Sequence, residues 1–286
     1  MTPLGFALVF AAAICHATWN FLVKRIAAGP ELIWLFSTLT LVIYAPLALW
    51  IFFSERPDLG LVHLVFIAGS AVLHLGYFLL LQTGYRHGDL SLIYPTARAT
   101  GPLLSAGFAA AFLGENLMPQ MGSGAAIIIA GVFMLTGGAS KGRLLALAPS
   151  HLFGIATGCF IGTYTVWDAH AVAALAIPPL ILDYASSIGR SVLLAPTAWR
   201  RREAVARLWQ DHRASVIAMA IFNPLAYILV LYALTFTPVI YVAPLRETSV
   251  LLSVLAGSLL LGEGHLRRRL SWGVVILAGV AILSTG

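Results

Sequence analysis

Apolar residues run through this chain in long blocks, and the polar residues gather in the gaps. Ten apolar segments stand out, at about 4–23, 31–53, 62–83, 90–113, 121–138, 150–170, 177–199, 214–235, 238–261 and 271–285. A helix needs ~20 mostly apolar residues to cross a bilayer, and these segments match that length. The gaps hold Gly, Pro and charge: Gly29-Pro30, Glu55-Arg56-Pro57-Asp58, Gly84 to Asp89, Gly114 to Pro119, Gly137 to Arg143, Arg200 to Arg213 and Gly262 to Arg269. The connections at 170–177 and 235–238 are very short, and the boundaries are least sharply marked there. The pattern predicts an all-α integral membrane protein with ten transmembrane helices. The first segment has no basic stretch before it and no small-residue cleavage pattern, and it carries His16, Trp19 and Asn20. It therefore reads as a retained helix and not as a signal peptide.

The segments also repeat. At a constant offset of 148 residues, Arg98 falls on Arg246, Trp19 on Trp167 and Asn20 on Asp168. Leu113-Gly114-Glu115 falls on Leu261-Gly262-Glu263, Leu103-Leu104-Ser105 on Leu251-Leu252-Ser253, and Ala130-Gly131-Val132 on Ala278-Gly279-Val280. Apolar helices match one another by chance, but Arg, Trp and Gly-Glu at one offset carry weight. Two five-helix units follow, residues 1–143 and 144–286. An odd helix count sends the second unit into the membrane from the opposite side, so the repeats are expected to be inverted around a central cavity. Such halves can open one face and then the other around a midplane site, which points to transport.

Composition agrees with lipid as the solvent. Of the 286 residues, 60% are hydrophobic and 10% are charged, against roughly 25% charged in soluble domains. Mean hydropathy is +0.92. The formal charge of +6 could suggest nucleic acid, but its placement speaks for membrane topology. Lys24, Arg25, Arg86, Lys141, Arg143, Arg200, Arg201, Arg202, Arg207, Arg213 and Arg267 to Arg269 all fall in odd-numbered connections, and Arg56 alone falls in an even one. The positive-inside rule then puts the odd connections in the cytoplasm and both termini outside. Cys15 and Cys159 lie within apolar segments and read as small buried hydrophobes. Gly137 to Arg143 does not match a phosphate loop, no His-Glu-x-x-His pattern occurs, and no serine nucleophile elbow is present. No cofactor, metal or enzymatic activity is expected.

The Leu-Gly-Glu motifs closing segments 4 and 9, and the Ala-Gly-rich helices Ile127 to Leu135 and Val275 to Leu283 that follow, resemble the drug/metabolite transporter superfamily. The resemblance is to its EamA-type ten-helix branch and covers nearly the whole chain. It implies a multi-pass protein of the bacterial inner membrane. It further implies a central cavity lined by helices 1, 3, 4, 6, 8 and 9, with helices 5 and 10 packed outside. Members of that superfamily move amino acids, nucleotide precursors, sugar phosphates and cationic drugs. In the half-size multidrug relatives an acid on helix 1 couples protons to cations; here helix 1 carries Asn20, and the acid stands at Asp168.

Ionisable groups inside a bilayer cost ~2.5–3.5 kcal/mol each on the insertion scale and usually face a cavity or a partner. Arg98 and Arg246 lie about eight residues into their segments, close to mid-membrane at ~1.5 Å per residue, and either can clamp a carboxylate or phosphate. His16, Trp19 and Asn20 share a helix face, matched by Tyr164, Trp167 and Asp168 in the second unit. Two aromatic-polar faces suit an amphipathic pocket, although Trp and His near a membrane interface would look the same. Asp168 can hold an ammonium, exchange a proton, or pair with an arginine. Glu247, beside Arg246, is a second proton-coupling candidate or a local neutraliser. His74 with Tyr77, Asn223 with Tyr227, and Tyr94 are further lining candidates. Asp183 and Arg190, two turns apart on one face, read as structural charges. Gly154, Gly158 and Gly162 form a small-residue stripe suited to close helix packing, and Glu115 and Glu263 read as loop anchors.

The leading functional expectation is a secondary exporter of small zwitterionic or anionic metabolites, amino acids foremost. A carrier of cationic amines or drugs is the alternative, and a membrane-embedded enzyme or gating subunit stands behind both. The expected partners are a small-molecule substrate and the lipid bilayer, without nucleic acid, and a monomer is compatible with the sequence.

Overall fold

The computed structural model describes residues 1–284, apart from 27, 58, 88–96, 98, 99, 102, 103, 106, 115–117, 136–147, 250 and 253–265. The helices among the described residues are α1 (Pro3–Ile26), α2 (Pro30–Glu55), α3 (Leu61–His87), α4 (helical at 97, 100, 101, 104, 105 and 107–112), α5 (Pro119–Leu135), α6 (Ala148–Ala173), α7 (Pro179–Arg200), α8 (Arg202–Leu234), α9 (Val239–Arg246) and α10 (Leu266–Ser284), with a further helical stretch from Thr248. Four of the starts are prolines, whose missing N–H costs nothing at a first helical position. At Pro3 the preceding Thr2 also caps the helix, its hydroxyl accepting the Gly5 N–H at 3.1 Å. α2 stops where Arg56 turns left-handed (φ 45) and returns its N–H to the Phe52 carbonyl.

Two elements depart from the hydropathy reading. The basic connection expected at Arg200 to Arg213 is helical from Arg202 on, and α8 bends at His212 (φ −132, ψ 21). Arg202 to Asp211 is rich in Ala, Arg, Leu and Glu, all good helix formers, so charge removes it from the hydrocarbon without unwinding it. Segment 9 is interrupted: α9 ends at Arg246, and helix resumes at Thr248. There the Thr248 hydroxyl donates to the Leu245 carbonyl at 2.8 Å, a side-chain bond that competes with the backbone ladder.

Helix pairing follows the repeat. α1 packs on α8 and α3 on α6, while α2 packs on α7 and α5 on α10. The 148-residue offset turns α1 into α6 and α3 into α8, so it exchanges the first two pairs. It also turns α2 into α7 and α5 into α10, so it maps each of the other two pairs onto itself. Glycines allow close approach at the seams. A Cβ at Gly158 would stand 2.5 Å from Thr100, and one at Gly162 would stand 2.8 Å from Leu104, both on α4. This is the packing role expected of the α6 stripe.

Among the described residues, four stretches are long and apolar enough to cross a membrane: Pro3–Val23, Pro30–Glu55, Leu61–Leu81 and Arg202–Leu234. Large apolar side chains such as Trp50, Phe53, Leu152 and Val192 face outward, as a lipid-solvated surface requires. Pro224 lies inside α8 and cannot donate to the carbonyl four residues back. That carbonyl, on Ala220, instead accepts the Thr40 hydroxyl of α2 at 2.9 Å. Tyr44 donates to the next one, on Ile221, at 2.8 Å.

Candidate functional site

The helices surround a cavity of about 50 Å³, within a larger space that opens to the outside. α1 contributes Ala12, Ala13, His16 and Trp19, α3 contributes His74, Tyr77 and Phe78, and α6 contributes Tyr164. α8 adds Asn223, Ala226, Tyr227 and Val230, and Arg246 of α9 and Ser249 just beyond it complete that side. Asp183 and Arg190 enter from α7.

His16 and Trp19 stand one turn apart, and the Trp19 indole N–H donates to His16 Nδ1 at 3.0 Å. Asn20 lies off the wall and turns back to the His16 carbonyl at 2.9 Å. The repeat-equivalent face of α6 divides in the same way. Tyr164 reaches the cavity, but Trp167 turns to α3, stacking on Phe66 at 4.3 Å and donating to the Phe66 carbonyl at 2.8 Å.

Asp168 is fully buried and lies behind the wall. His74 Nε2 meets its Oδ2 at 3.0 Å, and Tyr227 donates its hydroxyl to the same oxygen. Its other oxygen, Oδ1, has no hydrogen-bond partner among the described residues. The two residues that hold Asp168 are themselves cavity walls. His74 stacks on Tyr164 at 4.2 Å and meets Tyr227 edge-on at 4.9 Å. Tyr164 in turn meets Tyr77 and Tyr227 edge-on at 5.8 and 6.2 Å. The aromatic wall is thus anchored on a buried carboxylate, and a change in that carboxylate is felt at the cavity.

Arg246 stands over the Tyr227 ring at 5.7 Å, and its Nη1 donates to the Thr165 hydroxyl at 3.4 Å. Glu247 is buried beside it and does not line the cavity. Tyr94 and Arg98, together with the loop residues Glu115 and Glu263, lie outside the described residues.

α7 also reaches the cavity. Asp183 and Arg190 share a buried face of α7, and both border the cavity. The available signal was the cost of ionisable residues in an apolar segment, which applies to these two as strongly as to Asp168. The cavity therefore has lining from a helix outside the set of six expected. Phe78 and Ser249 carried no sequence signal at all.

The sequence matches the EamA-like transporter family twice, over residues 3–137 and 148–285. The chain belongs to the EamA-like transporter family. It is accordingly a multi-pass membrane transporter of the drug/metabolite transporter type, and members of that family are transporters and not enzymes. No curated protein matches the chain significantly. A solved crystal structure of a protein superposes with a TM-score of 0.73 at 17% identity, covering 100% of this chain and 98% of the other. The two share a fold across their whole length.

Proposed function

We propose that this transporter carries small zwitterionic or anionic metabolites, amino acids foremost, by alternating access and in the outward direction. The observation that carries the substrate class is Arg246 at the wall of an aromatic-lined cavity. A guanidinium offers paired donors to a carboxylate or phosphate, and Trp19, Tyr77, Tyr164 and Tyr227 offer apolar faces for the remainder of a small solute. Arg98, the repeat counterpart of Arg246, is assigned the same role from the other unit.

Alternating access draws support from the exchange of helix pairs under the 148-residue offset, as expected of two inverted five-helix units that together cross the membrane ten times. With basic connections in the cytoplasm, both termini lie outside the bacterial inner membrane. Asp168 is the group proposed to exchange a proton with the transport cycle, because His74 and Tyr227 connect it to the wall. Glu247 is the reserve candidate.

Flux into proteoliposomes containing this protein alone tests the reading. Labelled amino acids are expected to cross, and Arg246→Ala is expected to abolish the crossing in folded protein. Absence of amino-acid flux, with wild type and Arg246→Ala behaving alike, would sink the substrate class. One observation favours a carrier of organic cations instead: an acid, Asp183, lies in an aromatic-walled cavity. Cation flux that survives Arg246→Ala would establish that reading.

A further inference from the structure

Asp183 and Arg190 are each 3% exposed, yet both line the cavity. A buried charge is tolerated when it is paired and fully hydrogen-bonded. Among the described residues the two groups feel each other's charge but make no direct contact, and neither is fully hydrogen-bonded. Asp183 Oδ2 and Arg190 Nε have no hydrogen-bond partner, and no ion pair joins the two groups. Arg190, with five N–H donors, spends one on the Ser187 hydroxyl at 2.7 Å and lays its guanidinium over Phe78 at 5.8 Å.

The spacing explains why the two charges stay apart. Asp183, Ser187 and Arg190 fall at i, i+4 and i+7 on one face of α7. The bond to Ser187 draws the guanidinium back by one turn towards Asp183. About one further turn, ~6 Å, then remains between Ser187 and Asp183 along the axis. An α-amino acid carries its ammonium and carboxylate on adjacent carbons and fits between an acceptor and a donor so placed. The scaffold itself does not require the charges. The same positions of the first repeat hold Leu35 and Val42, and α2, which carries them, packs directly on α7.

We infer that Asp183 and Arg190 are a two-point clamp for the backbone of an amino acid, Asp183 taking the ammonium and Arg190 the carboxylate. The inference rests on the zwitterion reading above and deepens it. The aromatic wall is then left to the side chain, and Arg246 remains a second donor for the carboxylate.

The test uses the full protein in detergent with three probes: L-phenylalanine, phenethylamine, which lacks the carboxylate, and 3-phenylpropionate, which lacks the ammonium. Wild type should bind phenylalanine at least about tenfold more tightly than either single-charge probe, as one charge-assisted hydrogen bond implies. Asp183→Asn should weaken phenylalanine and phenethylamine by about 10- to 100-fold and leave 3-phenylpropionate unchanged. Arg190→Gln should weaken phenylalanine and 3-phenylpropionate and leave phenethylamine unchanged. Asp183→Glu and Arg190→Lys keep each charge and should keep the order of preference, which covers the case in which a neutral variant does not fold. Substitutions that weaken all three probes alike, or none, would overturn the clamp. So would wild-type protein that prefers a single-charge probe. Amino-acid flux in proteoliposomes would in those cases still stand, so the clamp and the substrate class can fail separately.

Discussion

Thr40→Val exchanges a hydroxyl for a methyl at constant shape and tests how α8 tolerates its internal proline. Pro224 has no N–H for the Ala220 carbonyl, and the Thr40 hydroxyl donates to it instead at 2.9 Å. Thr40 is 2% exposed and Ala220 is 0% exposed, so water cannot take over the bond. The variant leaves a buried carbonyl without a donor, at a cost of about 1–3 kcal/mol. The cost belongs to the proline and should disappear with it. Pro224→Ala restores an N–H four residues on from Ala220, after which the hydroxyl has little left to satisfy. A double-mutant cycle in mixed micelles, read as unfolding free energy against denaturant, should return a coupling of about 1–2 kcal/mol between positions 40 and 224. If Thr40→Val costs the same with proline or alanine at 224, within about 0.5 kcal/mol, the reasoning is refuted. The hydroxyl would then act only as a packing group.

The same method applies at the aromatic wall. Tyr227→Phe keeps the ring that Arg246 covers and removes only the hydroxyl donated to Asp168; it should destabilise by about 1.5–3 kcal/mol, and by much less in an Asp168→Asn background. Gly162→Val places a Cβ 2.8 Å from Leu104 and 3.2 Å from the Ser105 backbone nitrogen, so it should prevent α6 from seating on α4 and lower the melting temperature sharply. Gly122→Ala, which meets nothing within 4 Å, is its neutral control. Ala176, in the short turn before α7, holds a left-handed φ of 52; Ala176→Gly should raise unfolding free energy by up to about 1 kcal/mol.

Much of the helix order was legible because a spanning helix must be apolar along its whole length, and that leaves a long signal. The boundaries that failed had local causes. α8 starts at Arg202 because its first ten residues favour helix in water as well as in lipid. Segment 9 breaks at Glu247 beside a Thr248 hydroxyl that hydropathy does not register. The site was partly legible. Eight of the residues nominated from sequence line the cavity: His16, Trp19, His74, Tyr77, Tyr164, Asn223, Tyr227 and Arg246. Trp167 and Asp168 look equivalent to Trp19 and Asn20 in sequence, yet they differ in what stands opposite. Trp167 finds the Phe66 carbonyl across the α3 seam, and Asp168 finds His74 and Tyr227. Neither partner can be read from α6 alone.

The repeat led to paired residues, and most of the polar wall is unpaired. At the 148-residue offset His74 meets Phe222, Tyr77 meets Leu225, Asn223 meets Leu75 and Tyr227 meets Leu79. Asp183 and Arg190 meet Leu35 and Val42. The helix pairs nevertheless exchange under the same offset, so the scaffold keeps a symmetry that its cavity has lost. The two demands differ in kind. Two related packings of similar free energy give a carrier states that it can trade, and equivalent halves provide them. A small metabolite has no two-fold axis, and a symmetric wall would offer it two equal and opposite poses. Under the proposed clamp, charges that only one half supplies, Asp183 and Arg190 above all, would fix a single pose and leave the symmetric helix seams untouched.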